Sequence, residues 1–180
     1  MNEILENLLT IDECDEIYSA LKLQIKPRKN VDEFIHYAST FENLKETLKY
    51  VPKFEAIIKE KYGNNFVFKV SYSRIYRKDD FLKIHLDKPI YDLTVSLCIK
   101  KESKNPWPLK ISKKLWIGVW DWHHKVDRSP WTAEYDSYDL EPGQAVICEG
   151  NVYPHWRETL ECEENEGNSY VFFLWSKVDK

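Results

Sequence analysis

His85-Leu86-Asp87 and a distant histidine, His155, in the segment Gly150-Asn151-Val152-Tyr153-Pro154-His155-Trp156-Arg157-Glu158, are the residues whose types and spacing could do chemistry. On an extended strand alternate side chains share a face, so His85 and Asp87, two positions apart, can both reach one ion. His155 would supply a third ligand from elsewhere in the fold. Two imidazoles and a carboxylate grouped on one side leave about half of a coordination sphere open, which suits Fe(II) and oxygen chemistry at the open positions. The spacing alone also allows a plainer reading: a surface His85, a turn-capping Asp87, and His155 as a hydrogen-bond donor in the core.

The elements that must position these residues are mostly strands. Short apolar, β-branched and aromatic runs separated by turn residues predict strands at 66–76, 82–87, 93–100, 109–111, 115–120, 145–148 and 169–176. Seven short strands suggest a sandwich or barrel. Glu141-Pro142-Gly143-Gln144 reads as the turn into Ala145, and Gly150 frees the chain to bend toward His155. Upstream, Ile11, Cys14, Ile17, Tyr18 and Leu21 have helical spacing, with Thr10 as N-cap. Ser39-x-x-Glu42 has the form of a capping box opening a second helix that runs toward Tyr62, is broken or kinked at Pro52, and ends at Gly63. Residues 31–38 could form a short strand. The expected fold is mainly β with N-terminal helices: a double-stranded β-helix (jelly roll, cupin-like) with the helices packed on the major sheet. One domain spans 1–180, with 1–65 as helical support and 66–180 as the jelly-roll core.

Composition narrows the class. A chain of 180 residues can bury a core without staples, and 7 Trp, 11 Tyr and 8 Phe favour a pleated, half-buried surface. Cys14, Cys98, Cys148 and Cys162 have no C-x-x-C spacing and follow no apolar leader, so reduced thiols in a cytoplasm are expected. No apolar run approaches the roughly 18 residues that span a bilayer. Net charge is −4, which argues against a dedicated nucleic-acid binder, although Lys100, Lys101, Lys104, Lys110, Lys113 and Lys114 cluster enough to allow a local basic groove.

Several segments occur in an order that resembles the Fe(II)/2-oxoglutarate-dependent dioxygenase superfamily, particularly its small prolyl-hydroxylase-like members. They are Tyr72-Ser73-Arg74-Ile75-Tyr76-Arg77, Leu82-x-x-His85-x-Asp87-x-Pro89, Leu93-Thr94-Val95-Ser96-Leu97, Trp107-Pro108-Leu109, Leu140-x-Pro142-Gly143-x-Ala145 and His155-Trp156-Arg157-Glu158. The resemblance covers residues 66–178. It implies that His85, Asp87 and His155 ligate Fe(II), that 2-oxoglutarate chelates the ion through its keto and C1 carboxylate oxygens, and that O2 takes the last position. Asp87 fills the position a halide takes in related halogenases, so hydroxylation is implied, with the cosubstrate decarboxylated to succinate.

The far carboxylate of 2-oxoglutarate needs a buried cation. In much of the superfamily that residue opens the last strand, where this chain aligns Ser169. Arg157, two residues beyond His155 and so in phase with it, is the first candidate and Arg74 the second. Tyr72, Arg74 and Tyr76 alternate on one face, and the resemblance places a cosubstrate-binding tyrosine near Tyr76. The plain alternatives are packing for the tyrosines, a surface cation for Arg74, and a salt bridge from Arg157 to Glu158 or Glu161.

His123 and His124 point to opposite faces of any strand and fit a loop over the pocket better than a second metal site. Trp107, Trp116, Trp120, Trp122 and Trp131 either pack the core or line a substrate entrance, and His36 has no partner pattern. The substrate expected first is a peptide or protein side chain and next a free amino acid or small metabolite. The competing class is a non-catalytic cupin-like metal or 2-oxoglutarate sensor.

Overall fold

The computed structural model describes residues 2–25, 39–116 and 129–178. Near the N-terminus lie β1 (Glu3–Leu5) and α1 (Ile11–Gln24). Thr10 caps α1 by accepting from the Glu13 N–H, and the Glu13 carboxylate accepts from the Thr10 N–H in return. The helix buries Cys14, Ile17, Tyr18 and Leu21, the stripe its spacing predicts.

The capping-box reading at Ser39 does not hold. Ser39–Glu42 is a strand, β2, paired antiparallel with the long strand β3 (Phe66–Tyr76), because the edge of β3 offers this segment backbone partners that a local side-chain pattern cannot foresee. Helix resumes as α2 (Lys45–Leu48) and α3 (Val51–Tyr62). Pro52 lies in the first turn of α3, where a missing N–H costs no helical bond, so it opens a helix instead of kinking one. Gly63 ends α3 at φ +89°.

The remaining elements are β4 (Leu82–His85), β5 (Leu93–Lys101), β6 (Leu109–Ser112), α4 (Ser129–Thr132), β7 (Tyr135–Tyr138), β8 (Ala145–Cys148), β9 (His155–Arg157) and β10 (Asn168–Lys177). They form a six-stranded sheet, β1-β8-β5-β10-β3-β2, facing a four-stranded sheet, β4-β9-β6-β7, with every pairing antiparallel. The stretch expected to be helical support therefore also lends two strands to the major sheet. The short strand β7 was not anticipated. Of the strand expected at 115–120, Leu115 and Trp116 lie in no strand, and the rest falls outside the described residues, as does 31–38.

Alternation along the strands divides the interior into two cores. Leu93, Val95, Leu97 and Ile99 of β5 and Val171, Phe173 and Trp175 of β10 pack with Ile17, Leu21, Phe54 and Ile58 of the helices. The opposite faces, including Cys98, Tyr170, Phe172 and Leu174, pack with Leu82, Leu109 and Ile111 of the minor sheet. That second core, between the sheets, is where the site opens. Among the described residues no helix is long and apolar enough to cross a membrane.

Candidate metal centre

β4 and β9 are neighbours in the minor sheet, and their register sets His85 directly opposite His155. Asp87 follows just past the end of β4, where its N–H donates to the Gly150 carbonyl at 2.8 Å. The three side chains converge: one ligand atom from each lies within 4.8 Å of the others, and Asp87 Oδ1 is 3.9 Å from His85 Nε2 and 3.8 Å from His155 Nε2.

Both imidazoles are held from behind. His85 Nδ1 lies 2.8 Å from the Lys83 carbonyl and His155 Nδ1 3.1 Å from the Tyr153 carbonyl. A carbonyl can only accept, so each Nδ1 carries the proton and each Nε2 presents its lone pair to the centre of the group. Burial, reinforced by the His155 ring and by the charge of Arg74, pushes the pKa of His85 down to about 3, which keeps this imidazole neutral near pH 7.

Asp87 is confined on its other oxygen. Thr94 Oγ1 of β5 donates to Oδ2 at 2.5 Å. Gly150 lies against the same atom, and a Cβ built there would stand 2.0 Å from Oδ2 and 3.2 Å from His155 Cε1. Glycine is therefore required by close approach, since a side chain at 150 would occupy the carboxylate's place.

A cavity of about 240 Å3 opens beside the triad. Its apolar wall includes Leu82, Leu109, Phe172 and Leu174, and its polar lining includes Tyr72, Arg74, Thr94 and Ser96. Arg74 lies over the Phe172 ring at 5.1 Å and donates to the Tyr76 hydroxyl at 3.3 Å, while its Nε is buried without a hydrogen bond. The Ser96 hydroxyl is likewise buried and unpartnered. Burial, with Tyr91 alongside, raises Tyr72 to about 12, so its phenol stays neutral and able to donate.

The other residues singled out by the sequence are placed differently. Arg157 is buried in phase with His155 but does not line the cavity. Its Nη1 donates to the Trp107 carbonyl at 2.6 Å, and its guanidinium lies over the Tyr170 ring at 3.9 Å and the Trp107 ring at 4.8 Å. Its Nε and Nη2 make no hydrogen bond, and Glu158 pairs with Lys110 instead. Tyr76 is fully buried against Trp107. Ser169 pairs with Ile75 and shares its helix-facing side, so its neighbours Asn168, opposite Tyr76, and Tyr170 take the inner phase. Against β5 the register skips Ile99 between Ser169 and Tyr170, while against β3 it runs without a break at these positions.

Trp107 belongs to the inner core, and Trp116 packs at a tilt against Trp131 with centroids 4.5 Å apart. Trp120, Trp122, His123, His124 and His36 lie outside the described residues. Lys100, Lys101, Lys110 and Lys113 are each engaged by carboxylates. Sequence reasoning gave no site role to Thr94, Ser96 or Gly150. Two hydroxyls at alternate positions of an otherwise apolar strand were the available signal for the first two.

The donor set fits a divalent first-row ion: two neutral imidazoles, one carboxylate, and an open side facing a cavity. The orphaned Arg74 Nε and Ser96 hydroxyl fit a polar, anionic molecule beside such an ion, because buried polar groups left unpaired are costly.

No family model and no curated protein matches the chain by sequence. Solved structures do match in fold. A Pseudomonas putida prolyl-4-hydroxylase superposes with TM-score 0.67 at 11% identity, covering 98% of this chain and 92% of that one. An oxidoreductase of the 2OG-Fe(II) oxygenase family from Burkholderia pseudomallei gives TM-score 0.68 at 11% identity, over 97% and 85% of the two chains. HygX from Streptomyces hygroscopicus, solved with nickel and 2-oxoglutarate, gives TM-score 0.68 at 11% identity over 99% and 83%. The chain thus has the double-stranded β-helix fold of the 2-oxoglutarate/iron(II) oxygenases, with a His-Asp-His triad between its two sheets.

Proposed function

We propose that this protein is an Fe(II)- and 2-oxoglutarate-dependent hydroxylase, with His85, Asp87 and His155 as the metal ligands. The observation that carries this reading is the convergence of the three ligand atoms at a cavity that also contains Arg74, a cation with an unpartnered buried nitrogen. When bound, iron and 2-oxoglutarate would supply the oxidising power for attack on an unactivated C–H bond, with the keto acid decarboxylated to succinate.

The chain's own residues orient and insulate. Lys83 and Tyr153 carbonyls fix the imidazole tautomers, and Thr94 holds the carboxylate. Arg74 is the proposed anchor for the far carboxylate of the cosubstrate, with Ser96 and Tyr72 as neutral donors nearby. Arg157, first candidate by strand phase, has its guanidinium between two aromatic rings and outside the cavity lining. Leu82, Leu109, Phe172 and Leu174 keep the site dry, which strengthens each electrostatic contact.

The substrate proposed is a peptide or protein side chain. A cavity of about 240 Å3 is smaller than the ~300–1,000 Å3 of typical small-molecule pockets, so a cosubstrate would fill much of it and the target carbon would be presented at the mouth. The fold shared with a prolyl-4-hydroxylase over nearly the whole of both chains supports the same reading.

Anaerobic titration of the protein with Fe(II) and 2-oxoglutarate tests the chemistry. A visible charge-transfer band, followed by succinate release on admitting air, is expected. Bound iron with no band points to the non-catalytic sensor instead. Mass spectrometry of peptide libraries and cell extracts incubated under labelled oxygen then identifies what gains an oxygen atom.

A further inference from the structure

The geometry points to Thr94 as a positioning residue that keeps Asp87 a one-oxygen ligand, so that the metal retains room for both chelating oxygens of the keto acid. This rests on the metal reading above. Asp87 presents its two oxygens to different surroundings. Oδ1 faces both imidazole Nε2 atoms at 3.9 and 3.8 Å. Oδ2 is turned away, bonded to Thr94 Oγ1 at 2.5 Å and lodged against Gly150, where even a methyl group would collide with it.

The Thr94 bond is short and charge-assisted, the strong kind of hydrogen bond. Thr94 itself cannot wander: it is buried on β5, its backbone held in the central part of the sheet between β8 and β10. Three protein ligands of one atom each would leave three positions on an ion that takes six. A carboxylate free to swing and bind through both oxygens would take one of them. The position lost would compete with the keto acid, which needs two, and not with the ion, which gains a ligand. Thr94 should therefore control cosubstrate binding more than metal binding, the reverse of what a group that merely supports the carboxylate would do.

The test uses the full chain loaded with Mn(II), with binding followed by calorimetry. Wild type should bind Mn(II), and the loaded protein should bind 2-oxoglutarate. If wild type binds no Mn(II) or Fe(II), the metal reading itself fails, and this inference with it. In Thr94→Val, which keeps shape and removes the donor, 2-oxoglutarate affinity at saturating Mn(II) should fall about 10- to 100-fold, the equivalent of one charge-assisted hydrogen bond. Mn(II) affinity without the keto acid should stay within about threefold of wild type or tighten, where loss of a group that merely supported the carboxylate would cost about 10-fold or more. Thr94→Ser restores the donor and should restore 2-oxoglutarate binding and, with Fe(II) under anaerobic conditions, the charge-transfer band. Thr94→Ala provides a second lesion should the valine variant fail to fold. Unchanged 2-oxoglutarate affinity in the folded variants, a loss confined to Mn(II) affinity, or failure of serine to rescue would each overturn the proposal.

Discussion

Gly150→Ala separates the site from the fold with a single methyl group. Gly150 is not among the positive-φ residues, so its backbone admits alanine and the effect is one of space alone. The new Cβ would lie 2.0 Å from Asp87 Oδ2 and 2.8 Å from Asp87 Cγ, where contacts under 3.0 Å are essentially never tolerated. The carboxylate must move by about 1 Å, the difference between those limits. Because what moves is a side-chain tip, the fold should absorb the strain at the low end of the overpacking range, about 1 kcal/mol, or a fall of roughly 2–4 °C in Tm. The site cannot absorb it so easily. Moving the carboxylate carries Oδ1, now 3.9 and 3.8 Å from the two imidazole Nε2 atoms, out of line with them, so Mn(II) affinity should fall by at least about 10-fold. Calorimetric titration with Mn(II), beside a thermal melt of the same sample, measures both. A folded variant that binds Mn(II) as tightly as wild type would refute the reasoning, because Asp87 would then have moved without consequence for the ion.

Removing Arg74's charge with Arg74→Met should weaken 2-oxoglutarate binding at saturating metal by about 10- to 100-fold, while Arg157→Leu should leave it within about twofold; the reverse pattern would return the anchor to Arg157. His85 in the metal-free protein should make stability fall with acid. Its folded pKa, about 3, lies below its ordinary 6.5, so between those values the unfolded chain binds the extra proton and the stability present above pH 6.5 is progressively lost as pH drops toward 3. By pH 5 the loss should reach roughly 2 kcal/mol in urea melts with chelator, and His85→Asn should abolish that part; equal pH dependence in both proteins would rule the account out. Native alkylation at neutral pH, read by mass spectrometry, should label Cys162 alone. Cys14, Cys98 and Cys148 are buried, and burial raises the first two thiols to about 11 and about 12 and Cys148 further still.

The donor side chains that converge at the centre were legible in the sequence as residue types. His85 and Asp87 are two apart, and an extended backbone brings such a pair to one side even though β4 ends at His85; Arg157, two beyond His155, has the same inward phase but lies outside the cavity lining. The β-rich core and the helix at 11–24 were legible as periods of apolar residues.

What failed did so where a distant partner outweighed a local pattern. Ser39-x-x-Glu42 has a helix-opening form, yet β3 offered it a sheet edge. Ser169 aligned where an anchor was expected, yet its pairing with Ile75 puts it on the helix-facing side, and alternation leaves Tyr170 on the inner one. Arg74 and Arg157 were equal in type, and only the packing of Trp107 and Tyr170 around one guanidinium left the other facing the triad. Sequence alone determined which donor side chains were available and how they were spaced. Tertiary structure decided which of them meet, because the pairing of β4 with β9 and the approach of Gly150 and Thr94 to Asp87 join residues far apart along the chain, and no local periodicity encodes such contacts.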